Sequence, residues 1–361
     1  VRVALPWVRS AGFDASLILA PGFLIAACVV GWPSAFRSAG PIGPASWLLL
    51  VVGFDVAHVY ATLYRTYLDL RERAAHGALL VLVPLFCWLG ATAVHALSPA
   101  LFWTLLAYTA VFHFVRQQYG LMMLYSLPAD RATRARRWLD GAMIAAATGY
   151  PLVYWHTHLP RSFVWFIDGD FIPLPAAVEP AARLAYAAIA VAYLASQSYR
   201  LARGEPLNVP RQAVVLGTAL SWFVGIVAYD GDLAFTATNV IAHAVPYMAL
   251  VWAYGENREQ LRRARLRLFR AALAPVLLAT LVALAYLEEG LWDGFVWREH
   301  PTLFAAFRSL PALAGPWLNL AVPFLILPQL THYVLDGFIW RLRADRTWRQ
   351  TLLLRRAGAP A

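Results

Sequence analysis

His58, His113, His243 and His332 each stand in an apolar stretch of the chain, and each has other polar residues one helical turn away. Asp55 precedes His58 by three positions in FDVAHVYATLYRTY, and Arg116 and Gln117 follow His113 in HFVRQQYG. Asn239 and Tyr247 flank His243 in NVIAHAVPY, and Asp336 follows His332 in HYVLDGFIWR. Separations of three or four residues put such groups on one face of a helix. Imidazole suits iron, copper, zinc and nickel, and carboxylates add anionic ligands. Helix bundles build metal sites from facing helices with ligands at this spacing. The expected ligands are therefore His58, His113, His243 and His332, with Asp55 and Asp336 either as further ligands or as acceptors that orient the rings. Iron is the expected ion and zinc the competing one. Arg116, Gln117, Asn239 and Tyr247 are the candidates for the chemistry beside the metal, with Arg116 and Gln117 orienting an anionic head group or oxygen. A plainer account of each histidine alone is a hydrogen-bonded packing or proton-relay residue. Arg116 could equally neutralise Asp55 or Asp336.

These residues need helices that cross a bilayer. Of 361 residues, 60% are hydrophobic and only 14% charged, and the mean hydropathy is +0.56, which excludes a soluble globular protein. The 14% aromatic content fits rings placed at two lipid–water boundaries. A helix needs about 20 apolar residues to cross the hydrocarbon. That ruler predicts ten spans, near 15–32, 44–64, 76–97, 99–127, 138–156, 181–200, 211–229, 233–254, 271–290 and 315–340. The expectation is an all-α polytopic bundle forming one integral membrane domain over residues 1–361, without repeats or a soluble domain. Prolines at 21, 84, 151, 246, 275 and 323 fall inside spans, where neighbouring side chains must satisfy the backbone groups they free.

All thirty basic residues are arginine and the net charge is +10. Arginine gathers on the cytoplasmic side of membrane proteins, and its distribution here speaks for placement rather than for nucleic acid. The loops after the fourth and eighth spans carry Arg131–Arg137 and Arg258–Arg270; with the other loops on that side they hold 24 arginines against five opposite. Both termini are then cytoplasmic. The four histidine spans are all even-numbered, so they run in one direction and hold their imidazoles at depths that agree within roughly 10 Å. Four inward-facing rings at one depth can converge. The first span reads as a membrane helix rather than a cleaved signal peptide. The arginine-only basic set is compatible with a bacterial inner membrane protein from a GC-rich genome. Cys28 and Cys87 imply neither a disulfide framework nor a thiolate site.

Other polar groups carry less pattern. His76 and His95 lie near the ends of the third span, and His156 and His158 share an outer loop. His300 stands beside Glu299 in an outer segment, and Glu288 and Glu289 end the ninth span where they reach water. Glu256 and Asn257 lie about four turns below His243. The long outer segment 157–180, with Trp165, Asp168, Asp170 and Phe171, reads as a re-entrant or interfacial element.

Histidines within lipid-accessible helices resemble, in general chemistry, the membrane hydroxylases and desaturases that hold two irons with histidine motifs. Those families use H-x-x-H-H and H-x-x-x-H, whereas this chain pairs isolated histidines with Asp, Asn or Gln, so no residue role carries over. HFVRQQYG and HYVLDGFIWR resemble signatures of a family of bacterial multi-pass membrane proteins. The expected function is a membrane non-haem iron oxidoreductase acting on an apolar or lipid-like substrate that enters from the bilayer, served by a redox partner. A proton- or ion-coupled transporter using the same groups as a relay is the alternative, and a haem-binding electron carrier the third reading.

Overall fold

Apolar runs in lipid satisfy their backbone groups only as helices or closed barrels, and this chain takes the first course. The computed structural model describes residues 2–37, 40, 42–126, 134–262 and 273–340, and it is 80% helical with almost no strand. In chain order the long helices are α1 (Ala11–Gly31), α2 (Pro44–Arg65), α3 (Leu70–Leu97), α4 (Pro99–Ser126), α5 (Arg134–Thr157), α6 (Val178–Ala202), α7 (Val209–Ala228), α8 (Asp232–Arg262) and α9 (Ala274–Trp297). A tenth, α10, is bent by 40° between Gly315–Leu325 and Leu327–Ile339. Seven of these are long and apolar enough to cross a membrane, or eight if α10 is one span, and the chain is a membrane protein on that ground. Two helices expected to span, α4 and α5, have the length, 28 and 24 residues. His113, Arg116, Gln117 and Gln118 dilute the first and an arginine-rich start the second, so neither is among the seven. Of the arginines that orient the chain, Arg131, Arg263, Arg265, Arg267, Arg270 and those from Arg341 to Arg356 lie outside the described residues.

The helices gather into two compact units, residues 1–41 with 110–246 and residues 42–109 with 247–361. Two helices, α4 and α8, run unbroken through the points of division. In the first unit α1 lies on α7 and α5 lies on both α6 and α7. Small residues allow these approaches: a Cβ on Gly22 would meet the Gly217 carbonyl oxygen at 3.4 Å. At Gly225 the fit is tighter, since a Cβ there would stand 2.0 Å from Thr238 Oγ1. Where α7 leads back to the amino terminus, Val3–Ala4 (β1) pairs in parallel with Leu207–Asn208 (β2). A buried ion pair, Arg211 to Asp140 at 3.0 Å, ties α7 to α5.

In the second unit α9 packs along α2, and both halves of α10 pack against α3. Val52, Val56, Leu281, Ala285 and Phe304 form the centre of its core. Arg65 is buried at the end of α2: it pairs with Glu72 at 3.0 Å, donates to the Ile339 carbonyl at 3.0 Å, and lies 4.0 Å over the Tyr254 ring. Residues Leu48–Val56 are wound as a π-helix, a wider turn found mostly at functional positions.

Two of the span prolines show how the membrane interior tolerates them. A proline cannot donate to the carbonyl four residues earlier. Pro84 thus frees the Leu80 oxygen, and the Tyr67 hydroxyl donates to it at 2.7 Å. Pro246 frees the Ala242 oxygen, and the Gln118 amide donates to it at 3.3 Å.

Candidate metal centre

All four expected histidines are buried: His58 and His332 are each 1% exposed, His113 is 5% and His243 0%. Neutral imidazole is the form that ligates metal.

In the first unit α4 carries His113 and α8 carries His243. Their ring centroids are 5.0 Å apart and nearly perpendicular, with an interplanar angle of 77°. Phe114 stacks flat on His243 at 3.8 Å and 7°, and Gln117 Nε2 donates to the His243 carbonyl at 2.7 Å. The polar neighbours expected around His113 therefore fix the helix that bears its partner. Asn239 donates to the Phe235 carbonyl at 3.1 Å, and its Oδ1 is buried without a hydrogen bond among the described residues. Arg116 lies on the exposed side of α4, its guanidinium 6.0 Å over the Phe112 ring.

The segment after α5 covers this pair with aromatic rings rather than with a helix. Trp165 meets the face of Phe114 edge-on at 5.3 Å, and Trp155, Phe163, Phe171 and Phe235 surround it. Asp170 accepts from the Trp165 and Phe166 N–H groups at 3.0 and 2.8 Å, which holds the turn. Burial pushes its carboxyl up, against the pull of those donors.

In the second unit His58 of α2 and His332 of α10 repeat the arrangement, with centroids 5.0 Å apart and rings at 80°. Tyr247 of α8 is edge-on to both, at 5.6 and 5.0 Å. Here the second ring nitrogens are accounted for. His58 Nδ1 lies 3.3 Å from the Phe54 carbonyl; a carbonyl only accepts, so Nδ1 donates and Nε2 is the ring nitrogen that carries the lone pair. His332 Nδ1 lies 2.7 Å from Thr62 Oγ1, which is 2.8 Å from the Tyr247 hydroxyl, which donates to Asp336 Oδ1 at 2.9 Å. With Nδ1 protonated, every member of that chain has one donor and one acceptor, and Nε2 is again the metal-ready atom.

Asp336 and Asp55 occupy the Nδ1 sides of their histidines, at 3.8 and 4.0 Å. Asp336 also accepts from Trp340 Nε1 at 3.2 Å, so its oxygens serve the rings around it. The widened winding of Leu48–Val56 leaves Asp55 36% exposed beside a fully enclosed His58.

Within each pair the potential ligand nitrogens lie no more than 4.8 Å apart. Nitrogens bound at about 2.1 Å to one tetrahedral ion stand about 3.4 Å apart, so ligation asks the nitrogens to close by at most about 1.4 Å. Either buried pair could contribute ligands to a metal ion; the donor set alone does not select which.

Histidines outside this set have other occupations. His95 Nδ1 meets Asn319 Oδ1 at 2.8 Å, His76 pairs with Glu72 at 3.1 Å, and His156 bonds the Leu152 carbonyl at 2.6 Å. His158 stacks on Tyr154 at 3.9 Å and His300 lies 4.3 Å from Trp47. Glu288 departs from expectation: it is 5% exposed and accepts from Tyr60 at 2.6 Å instead of reaching water. The reason is that its face of α9 turns toward α2. Sequence reasoning did not single out Thr62, Phe114 or Trp340. Thr62 carried a signal, since it follows His58 by four positions and shares its helical face.

No family model, curated protein or solved structure matches the chain.

Proposed function

We propose that this chain is an integral-membrane metalloprotein in which His58, His113, His243 and His332 hold an iron ion used to oxidise an apolar or lipid-like substrate. The observation that carries the reading is the orientation of the His58 and His332 rings, whose Nδ1 atoms face protein partners, so that a metal would be taken through Nε2. The continuity of α8 supports adding the other pair, because His243 and Tyr247 stand one turn apart on a single helix. Bound iron supplies one-electron chemistry with oxygen, and zinc in the same donors would supply hydrolysis instead. In this reading the protein's own groups hold the rings in one tautomer, keep water out through the Phe114–Trp165 aromatic wall, and deliver a proton along Thr62, Tyr247 and Asp336. A redox partner reaches the chain from the arginine-rich side, which faces the cytoplasm of a bacterial inner membrane with ten spans and both termini inside.

The same hydrogen-bonded chain favours a second reading, a proton relay in a coupled transporter, since four connected titratable or hydroxyl groups are what such a path needs. Elemental analysis and an optical spectrum of detergent-purified protein, prepared without chelator, separate the two. Near-stoichiometric iron that is lost in His113→Ala and His243→Ala supports the metalloprotein. Zinc in its place overturns the redox reaction, and well-folded protein without metal overturns the centre and leaves the relay.

A further inference from the structure

The second unit contains a cavity of about 400 Å³ bordered by α2, α3, α9 and α10, within the range of about 300–1,000 Å³ typical of small-molecule sites. Its walls are largely apolar, and besides Tyr60, Tyr67 and Thr331 they carry polar groups at two places. At one, Thr62 and His332 of the candidate metal centre line the wall. At the other stands Glu288, buried and held through Oε2 by the Tyr60 hydroxyl at 2.6 Å. Trp292 and Gln329 lie near this carboxyl, yet Oε1 meets no donor at hydrogen-bond geometry among the described residues. A buried carboxyl oxygen in an apolar wall is costly unless something donates to it.

The mouth opens on apolar surface. Leu287 and Phe324 on its border are 52% and 62% exposed, on helices long and apolar enough for the bilayer. The break in α10 falls at this border, as expected where irregular backbone lines a cavity.

We infer that this cavity is a lateral entry site for a membrane-dissolved molecule with an apolar body and a hydroxyl group, the hydroxyl donating to Glu288 and the body reaching the wall formed by Thr62 and His332. The inference deepens the metalloprotein reading by naming the class of substrate and where it enters. Binding itself does not require the metal.

The test is photo-crosslinking of the full chain in liposomes with a diazirine-bearing dodecanol. Labelling is expected on α9 and α10 near Leu287 and Phe324, competed by dodecanol and much less by dodecane. Glu288→Gln and Tyr60→Phe should each weaken labelling by about tenfold, the scale of one hydrogen bond to a buried charged group, and Leu284→Trp, which fills the cavity, should abolish it. Equal competition by dodecane, stronger competition by dodecylamine, or unchanged labelling in Leu284→Trp overturns the inference. Metal content measured on the same samples separates the two claims. Metal with no cavity labelling sinks this inference alone, and labelling of metal-free wild type sinks the centre alone.

Discussion

Thr62 Oγ1 lies 2.7 Å from His332 Nδ1 and 2.8 Å from the Tyr247 hydroxyl, so one small side chain sets the tautomer of a ring and connects it to Asp336. A metal ligand oriented in this way depends on its partner nearly as much as on its own nitrogen.

Thr62→Val removes that partner while keeping the shape of the side chain. Metal affinity should fall by about 10–100-fold, read as metal retained across a graded chelator series, with Thr62→Ser restoring it. His332→Ala should lose the metal outright. Equal retention by wild type and Thr62→Val would show that the contact does not tune the site.

Gln118 and Pro246 should be energetically coupled. Gln118→Leu strands the Ala242 oxygen, at a cost of about 1–3 kcal/mol, whereas in a Pro246→Ala background the helix supplies its own N–H and the same change costs less. A double-mutant cycle on unfolding in detergent should give a coupling of about 1 kcal/mol. Strict additivity would sink the account of how this proline is tolerated.

Just past the carboxyl end of α6, Arg200 and then Arg136 hold the Glu205 carboxyl below its usual range. Its folded pKa is lower than its unfolded one, so the pair stabilises the fold above about pH 4.3 and the contribution is lost as pH falls through the depressed value. Glu205→Gln should therefore lower the melting temperature at neutral pH, and the difference from wild type should shrink toward zero in acid. A difference independent of pH would mean that ionisation of Glu205 contributes nothing.

Reporter fusions after residue 130 and at the carboxyl end of the chain should report the same, cytoplasmic, side. Opposite sides would remove the ten-span arrangement, since an odd number of crossings would then separate the two points.

The all-helical character and the segments that become helices were legible because the bilayer length and the apolar runs leave few alternatives. Burial of His58, His113, His243 and His332 was legible for a related reason, as a polar group in an apolar run has an interior to find. Where the neighbours of each histidine point was not. Asp55 stands 4.0 Å from His58 on the shared face the spacing implied, but no local pattern showed that it would be 36% exposed there. Gln117 and Gln118 read as substrate or framework residues with equal ease, and only the partner helix reveals that both serve carbonyls of α8. Glu288 sits at the end of an apolar run, a position that on sequence alone means water. Its burial follows from the packing of α9 on α2, which no local pattern records.

The two prolines answered by side chains share an order along the chain. Tyr67 precedes the Leu80 carbonyl it caps, and Gln118 precedes Ala242 by more than a hundred positions. During synthesis the donor is thus already made when the proline-bearing helix leaves the ribosome. Each such helix can enter the bilayer beside a waiting partner, and its exposed carbonyl need not face hydrocarbon alone. Moving Gln118 downstream of Pro246 by circular permutation would reverse that sequence of events and leave the eighth helix to insert with an open hydrogen-bond acceptor.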